Sequence, residues 1–123
     1  SHTTSAALQL ITDTLDRLGP KARDFQPVFI TIDPERDTPA RLAEVFTKAH
    51  PRFLALTGTP AELAAVAKSY VVHYRERATE AGAPKAFDVT SLIYVMNRDG
   101  TYRAHYTHAT PRRDFEDALT ALE

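Results

Sequence analysis

Residues 28–39, Val-Phe-Ile-Thr-Ile-Asp-Pro-Glu-Arg-Asp-Thr-Pro, constrain the fold most, because an apolar run stops abruptly there at a charged turn. Val28 to Ile32 is dominated by β-branched and aromatic side chains and has no polar face, which predicts a strand buried on both sides in the middle layer of an α/β domain. Asp33 ends it, Pro34 has no N–H for a ladder, and Thr38-Pro39 opens a helix with a capping hydroxyl followed by proline at the first helical position. Charged residues thus fall at the carboxyl end of a strand, where open α/β sheets usually build their sites. On these residues alone a solvated strand-to-helix turn is the simpler reading.

Hydrophobic spacing extends the pattern on both sides. Ser5 to Leu18 carries Ala7, Leu8, Ile11, Leu15 and Leu18 at helical intervals, with Thr4 or Ser5 as cap and Gly19-Pro20 as the stop. A second helix, Pro39 to about Ala49, turns Leu42, Val45, Phe46 and Ala49 to one face and ends at His50-Pro51. Phe53 to Leu56 predicts a short buried strand. Thr59-Pro60-Ala61-Glu62 is a capping box opening a helix to about Tyr70, which buries Leu63, Val66, Ala67 and Tyr70. Val71 to Tyr74 reads as a brief strand, and Arg75 to Phe87 as an exposed loop without a period. Ser91 to Met96 and Thr101 to Tyr106 flank Asn97-Arg98-Asp99-Gly100 as an antiparallel hairpin, the first strand central and the second toward an edge. Thr110-Pro111 opens a last helix with Phe115, Ala118, Leu119 and Leu122 inward.

One element is lacking from this order. A parallel strand at 28–32 needs a neighbour reached through a crossover helix, yet no strand precedes helix 5–18. A strand is therefore expected between 28–32 and 91–96, supplied by an N-terminal segment or by another chain; otherwise those two strands pair directly.

Composition narrows the function classes. The 123 residues make one domain, large enough to bury a core without staples. With 15 Lys and Arg against 16 Asp and Glu, there is no overall field to recruit nucleic acid or an anionic membrane. No apolar run reaches the ~20 residues of a membrane span. The chain has no cysteine, which removes disulfides, thiolate nucleophiles and thiolate metal ligands together. An enzyme of peroxidase or disulfide-exchange type would have no mechanism, so no enzymatic activity is expected.

The run Phe29 to Pro39, then Leu56-Thr57-Gly58-Thr59-Pro60, Ala67-Lys68-Ser69-Tyr70 and Asp88 to Gly100, together with their spacing, resemble the Sco/SenC family from Leu8 onward. The resemblance implies a thioredoxin-like three-layer α/β sandwich, with the N-terminal strand outside the sequence given. It also implies copper and thiol handling during assembly of cytochrome c oxidase. The partner would be an oxidase subunit or a redox or copper protein, and the setting periplasmic or otherwise extracytoplasmic, with a possible membrane anchor upstream. In the family two cysteines of a Cys-x-x-x-Cys-Pro motif and one histidine hold copper. By the same resemblance the second cysteine falls on Thr4, the first just before Ser1, and the histidine on Val89. Threonine is a poor ligand for Cu(I) and valine is none, so no metal or other cofactor is expected on this chain as given. Asp33, Glu35, Arg36, Asp37 and Asp88 remain as a candidate interaction face beside that position. The histidines, His2, His50, His73, His105 and His108, read as scattered rather than as a metal centre. The alternative reading is a thioredoxin-fold interaction module without metal chemistry.

Overall fold

The computed structural model describes residues 2–31, 34–81 and 92–122, with side chains at 4–31, 34–70 and 92–122. The chain opens with α1 (His2–Leu18), passes through a 3-10 helix (Gly19–Asp24), and forms β1 (Val28–Ile30), α2 (Pro39–Ala49) and β2 (Leu54–Leu56). It continues as α3 (Pro60–Ala81), β3 (Leu92–Met96), β4 (Tyr102–Thr107) and α4 (Arg112–Thr120). Among the described residues the strands make two separate pairs. In one, β1 and β2 run parallel with Phe29 opposite Ala55; in the other, β3 and β4 run antiparallel with Tyr94 opposite His105. Direct pairing of β1 with β3, one of the expected ways to close the sheet, is not seen among the described residues.

Local chemistry explains most boundaries. Gly19 adopts φ 60°, the left-handed conformation that ends α1 where a side chain would be strained. Thr38 is the N-cap of α2, its Oγ1 accepting from the Arg41 N–H at 3.3 Å, with Pro39 following. The predicted capping box of α3 is complete: the Glu62 N–H donates to Thr59 Oγ1 at 3.1 Å and the Thr59 N–H to Glu62 Oε1 at 2.9 Å. Those hydrogen bonds, the backbone one first, hold the Glu62 carboxyl below its ordinary range. Gly58 makes room for it, since a Cβ there would lie 3.0 Å from Glu62 Oε1. In the β3–β4 turn Gly100 has φ 87°, and Thr101 donates through its hydroxyl (2.6 Å) and its N–H (3.0 Å) to Asp99 Oδ1, lowering that carboxyl's pKa.

The larger core lies on β3 and β4. Ala7 of α1, Ile93 of β3, and Phe115 and Leu119 of α4 form its buried centre, with Leu10, Ile11, Leu18, Phe25, Val95, Tyr106 and Leu122 packed around it. Arg17 and Arg112 both donate to Glu116 Oε1, at 2.8 and 2.6 Å, tying α1 to α4 and depressing the Glu116 pKa, chiefly through the Arg17 hydrogen bond. The smaller core is aromatic: Phe46 of α2 stacks on Phe29 of β1 at 5.1 Å and meets Phe53 at 5.7 Å. Among the described residues, Thr12 Oγ1 to His50 Nδ1 at 3.0 Å and Arg52 to Asp16 at 3.3 Å join the halves.

Several expectations are corrected. Helix α1 begins at His2, so Thr4 and Ser5 lie inside it and neither caps it; a cap is worth only about 1 kcal/mol, too little to halt a helix whose next turns are rich in Ala and Leu. The β1–β2 sheet is not buried on both sides, because Val28 (43%), Leu54 (50%) and Leu56 (40%) stay exposed. Helix α2 covers one face of that sheet, while α1 and α4 pack with β3. Val45 and Ala49 are also exposed, since the buried stripe of α2 is only Leu42 and Phe46 wide. β3 pairs only with β4 among the described residues, so it is not seen in the central position expected of it. Val71 to Tyr74 is helical, as is Arg75 to Ala81, because α3 propagates cooperatively from its capped start through residues of modest β preference; positions 82–87 lie outside the described residues. Thr110-Pro111 does not repeat the Thr38-Pro39 arrangement. Thr110 Oγ1 accepts from the Thr107 N–H at 3.1 Å within its own turn, which leaves Pro111 as the N-cap of α4.

Candidate docking face and metal positions

The turn after β1 is held at both ends. The Thr31 N–H continues the ladder to the Leu56 carbonyl at 3.1 Å. The Thr31 hydroxyl, 1% exposed, donates to Asp37 Oδ2 at 2.6 Å. The bond spans the turn from strand end to helix start and sets the path of Pro34, Glu35 and Arg36 between them. A hydroxyl-to-carboxylate bond of this kind is charge-assisted and stronger than a neutral one. Asp37 is therefore a tie rather than the helix cap, a task already met by Thr38 one residue on. Glu35 and Arg36 are exposed on the outside of the turn. Asp33 and Asp88, the other members of the expected face, lie outside the described residues.

Thr31 escaped the sequence reading, which counted it within an apolar strand. The available signal was a hydroxyl two residues before an acidic turn, in a run otherwise without polar atoms. A second missed feature is the face of the hairpin turned toward α3, where Tyr94 lies 4.8 Å from Tyr70 and 6.2 Å from Tyr102, and Tyr102 hydrogen-bonds His105 Nδ1.

The metal positions implied by the resemblance, Thr4 and Val89, bring neither a thiolate nor an imidazole to copper. Thr4 lies in the first turns of α1, half-buried, and offers only a hydroxyl. Val89 lies outside the described residues and carries no donor atom. Among the described residues no three His, Cys, Asp or Glu side chains converge. His50 is engaged with Thr12 and sits edge-on to Phe53; His105 is on β4 with Tyr102; His108 has a buried Nδ1 without a hydrogen-bond partner. His2 and His73 are in helices, and their side chains are outside the described set. Soft Cu(I) prefers thiolate, and this chain has none, so the residues present do not fit the group.

The SCO1/SenC family profile matches residues 3–122. The chain belongs to the SCO1/SenC family. A bovine (Bos taurus) relative, the mitochondrial protein SCO2 homolog, is 36% identical over 94 residues, covering 76% of this chain and 35% of its own length. An SCO2-like protein of Rickettsia felis is 33% identical over 112 residues, 89% of this chain and 55% of that protein. Among solved structures, copper-bound ScoI of Bradyrhizobium japonicum is similar with a TM-score of 0.63 and 28% identity, over 90% of this chain and 70% of that one. The thioredoxin-like α/β class expected from the sequence is thereby established, and the chain spans 35% to 55% of the length of these two curated relatives. The bovine relative is mitochondrial and the Rickettsia felis one bacterial, and no described helix of this chain is long and apolar enough to cross a membrane.

Proposed function

We propose that this chain is a SCO1/SenC domain of respiratory-oxidase copper assembly, acting by protein docking in an extracytoplasmic compartment without catalysing a reaction of its own. Copper is the cargo of that process. The donors that would hold it as Cu(I) are not among this chain's residues, so it docks without loading copper tightly as given. The partner is an oxidase subunit or a redox or copper protein. One observation carries this reading: the buried Thr31 hydroxyl holds Asp37, and so presents Glu35 and Arg36 on a turn of set shape at the carboxyl end of β1. An exposed loop without such a tie would lose more conformational entropy on docking.

The test titrates the full chain with the purified soluble copper-binding domain of an oxidase subunit and follows heat. Binding is expected, and the double substitution Glu35→Lys with Arg36→Glu should weaken it about tenfold or more, since removing charges at an interface rim slows association and mispairing adds repulsion. Unchanged affinity in the folded double variant would refute the docking face. A parallel competition against a chromogenic Cu(I) chelator is expected to show no stoichiometric capture, and capture that survives His2→Ala would refute the statement about cargo.

A further inference from the structure

The β3–β4 hairpin carries a cluster of rings on the face away from the main core. Ile93 and Val95 turn into that core, so Tyr94 and Met96 lie on the opposite face of β3. Their register partners on β4 are His105 and Tyr102. Positions 102 and 105 are three apart, and regular alternation would send them to opposite faces. The register shift at Val95/Met96, which sets Ala104 against Val95 but Tyr102 against Met96, takes up Arg103 and brings both onto one face. There Tyr102 Oη meets His105 Nδ1. A phenol is a far stronger acid than a neutral imidazole N–H, so Tyr102 donates and the ring nitrogen accepts. Tyr94 stands beside the pair, its ring centre 6.2 Å from that of Tyr102 and 6.5 Å from that of His105, and Tyr70 of α3 lies 4.8 Å from Tyr94. All four residues are half-buried, so solvent reaches the cluster.

Composition gives this cluster a use. The chain has no cysteine, no tryptophan and a single methionine, so tyrosine is the side chain from which a one-electron oxidant most readily draws an electron. A phenol that loses an electron must also lose its proton, and a base already hydrogen-bonded to it lets the two leave together. Tyr102 has such a base in His105. The Tyr94 hydroxyl donates to the Tyr70 carbonyl at 3.3 Å, a group that does not take up a proton at neutral pH, and Tyr106 packs against Phe115 in the core. We infer that Tyr102 is a one-electron donor to diffusible oxidants of the carbonate-radical class, with His105 as its proton acceptor. In this step the Tyr102 O–H bond breaks and an N–H bond forms at His105 Nδ1. Tyr102 is oxidised to a neutral phenoxyl radical, His105 becomes imidazolium, and the carbonate radical anion is reduced to carbonate. The bulge is what makes the pair, because without it the phenol and its base would face opposite sides of the hairpin.

The experiment exposes the full chain to carbonate radical made by pulse radiolysis of bicarbonate solution, follows the phenoxyl absorption, and locates the radical by spin trapping and peptide mapping. The trapped adduct is expected at Tyr102, and the absorption should form more slowly in heavy water, since proton and electron leave together. His105→Gln keeps a hydrogen-bond acceptor but removes the base, and the adduct at Tyr102 should fall at least about tenfold. Tyr106→Phe, in the core, should leave the yield at Tyr102 unaltered. If His105→Gln does not fold, Tyr102→Phe, which deletes only the hydroxyl, still decides: formation of the phenoxyl absorption should slow. An adduct spread evenly over the tyrosines, oxidation confined to the Met96 sulfur, a yield at Tyr102 indifferent to His105→Gln, or a rate unaltered by Tyr102→Phe would overturn the inference.

Discussion

The two strand pairs are built from similar residues and meet different fates. β3 and β4 pack with two helices, α1 and α4, around a centre in which Phe115 is 2% exposed and Leu119 is 4%. β1 and β2 have α2 on one face, and on the other Val28, Leu54 and Leu56 remain exposed while Ile30 is half-buried. The runs Val-Phe-Ile and Leu-Ile-Tyr-Val-Met look alike as strands, so burial here follows from which helices pack against each pair rather than from the hydrophobicity of the strand. What differs is the supply of helices. Among the described residues, the half covered by α2 alone is also the half that carries the charged turn at Glu35 and Arg36.

That contrast is open to attack by mutation. The largest effect is expected at Phe115→Ala, which empties the centre of the two-helix core and should cost about 3–5 kcal/mol of stability. Leu54→Ala on the open face should stay within about 0.5 kcal/mol. Urea unfolding of both variants measures the difference, and a Leu54 cost approaching that of Phe115 would mean that the open face is covered in solution. Next in size is Thr31→Val, which keeps the shape and removes the donor to Asp37. Bonds to charged groups are worth about 1.5–3 kcal/mol, and the loss should be visible both as reduced stability and as faster amide exchange at residues 34–37. Unaltered exchange there would show that the tie does not order the turn.

Smaller again is Thr59→Ala at the capping box. It should cost about 1 kcal/mol, and exchange protection should fall first in the opening turn of α3 rather than in either core. The smallest effect is with pH. Glu62, Asp99 and Glu116 all have folded pKa values held below their ordinary ones, 4.5 for the glutamates and 3.8 for the aspartate, by hydrogen bonds from Thr59, Thr101 and Arg17 respectively. Groups of this sign contribute stability that is present above the unfolded pKa and is lost as pH falls through the folded one. Acid unfolding should therefore soften below about pH 4.5. Glu116→Gln should flatten that slope through the α1–α4 contact of the closed half, whereas Glu62→Gln should do so through α3. A slope unaltered by either substitution would remove these carboxylates from the account.

The legible parts of this chain are those whose cause is local. The caps at Thr38 and Thr59, the stop at Gly19, the Asp-Gly hairpin turn and the inward set Phe115, Leu119 and Leu122 each depend on residues within a few positions of one another. The candidate site was only partly legible. Glu35, Arg36 and Asp37 stood out as a charged turn, but the role of Asp37 was not readable, because its partner Thr31 is identified by burial and by the course of the turn. Val71 to Tyr74 misled for a related reason. A short β-branched stretch has no fixed preference, and the helix already running into it decides its state.

The sequence by itself determined the order of most elements, where several of them begin and end, the residues of the main core, and the family, because each of these is written in spacing and side-chain type. Tertiary structure alone decided which strands found partners, that Val28, Leu54 and Leu56 stay exposed while Ile93 does not, and that the Thr31 hydroxyl ties down the charged turn through Asp37. The physical reason is that burial and pairing are shared properties of two surfaces. A residue's own chemistry states what it would gain from a partner, and only the packed chain determines whether one is there.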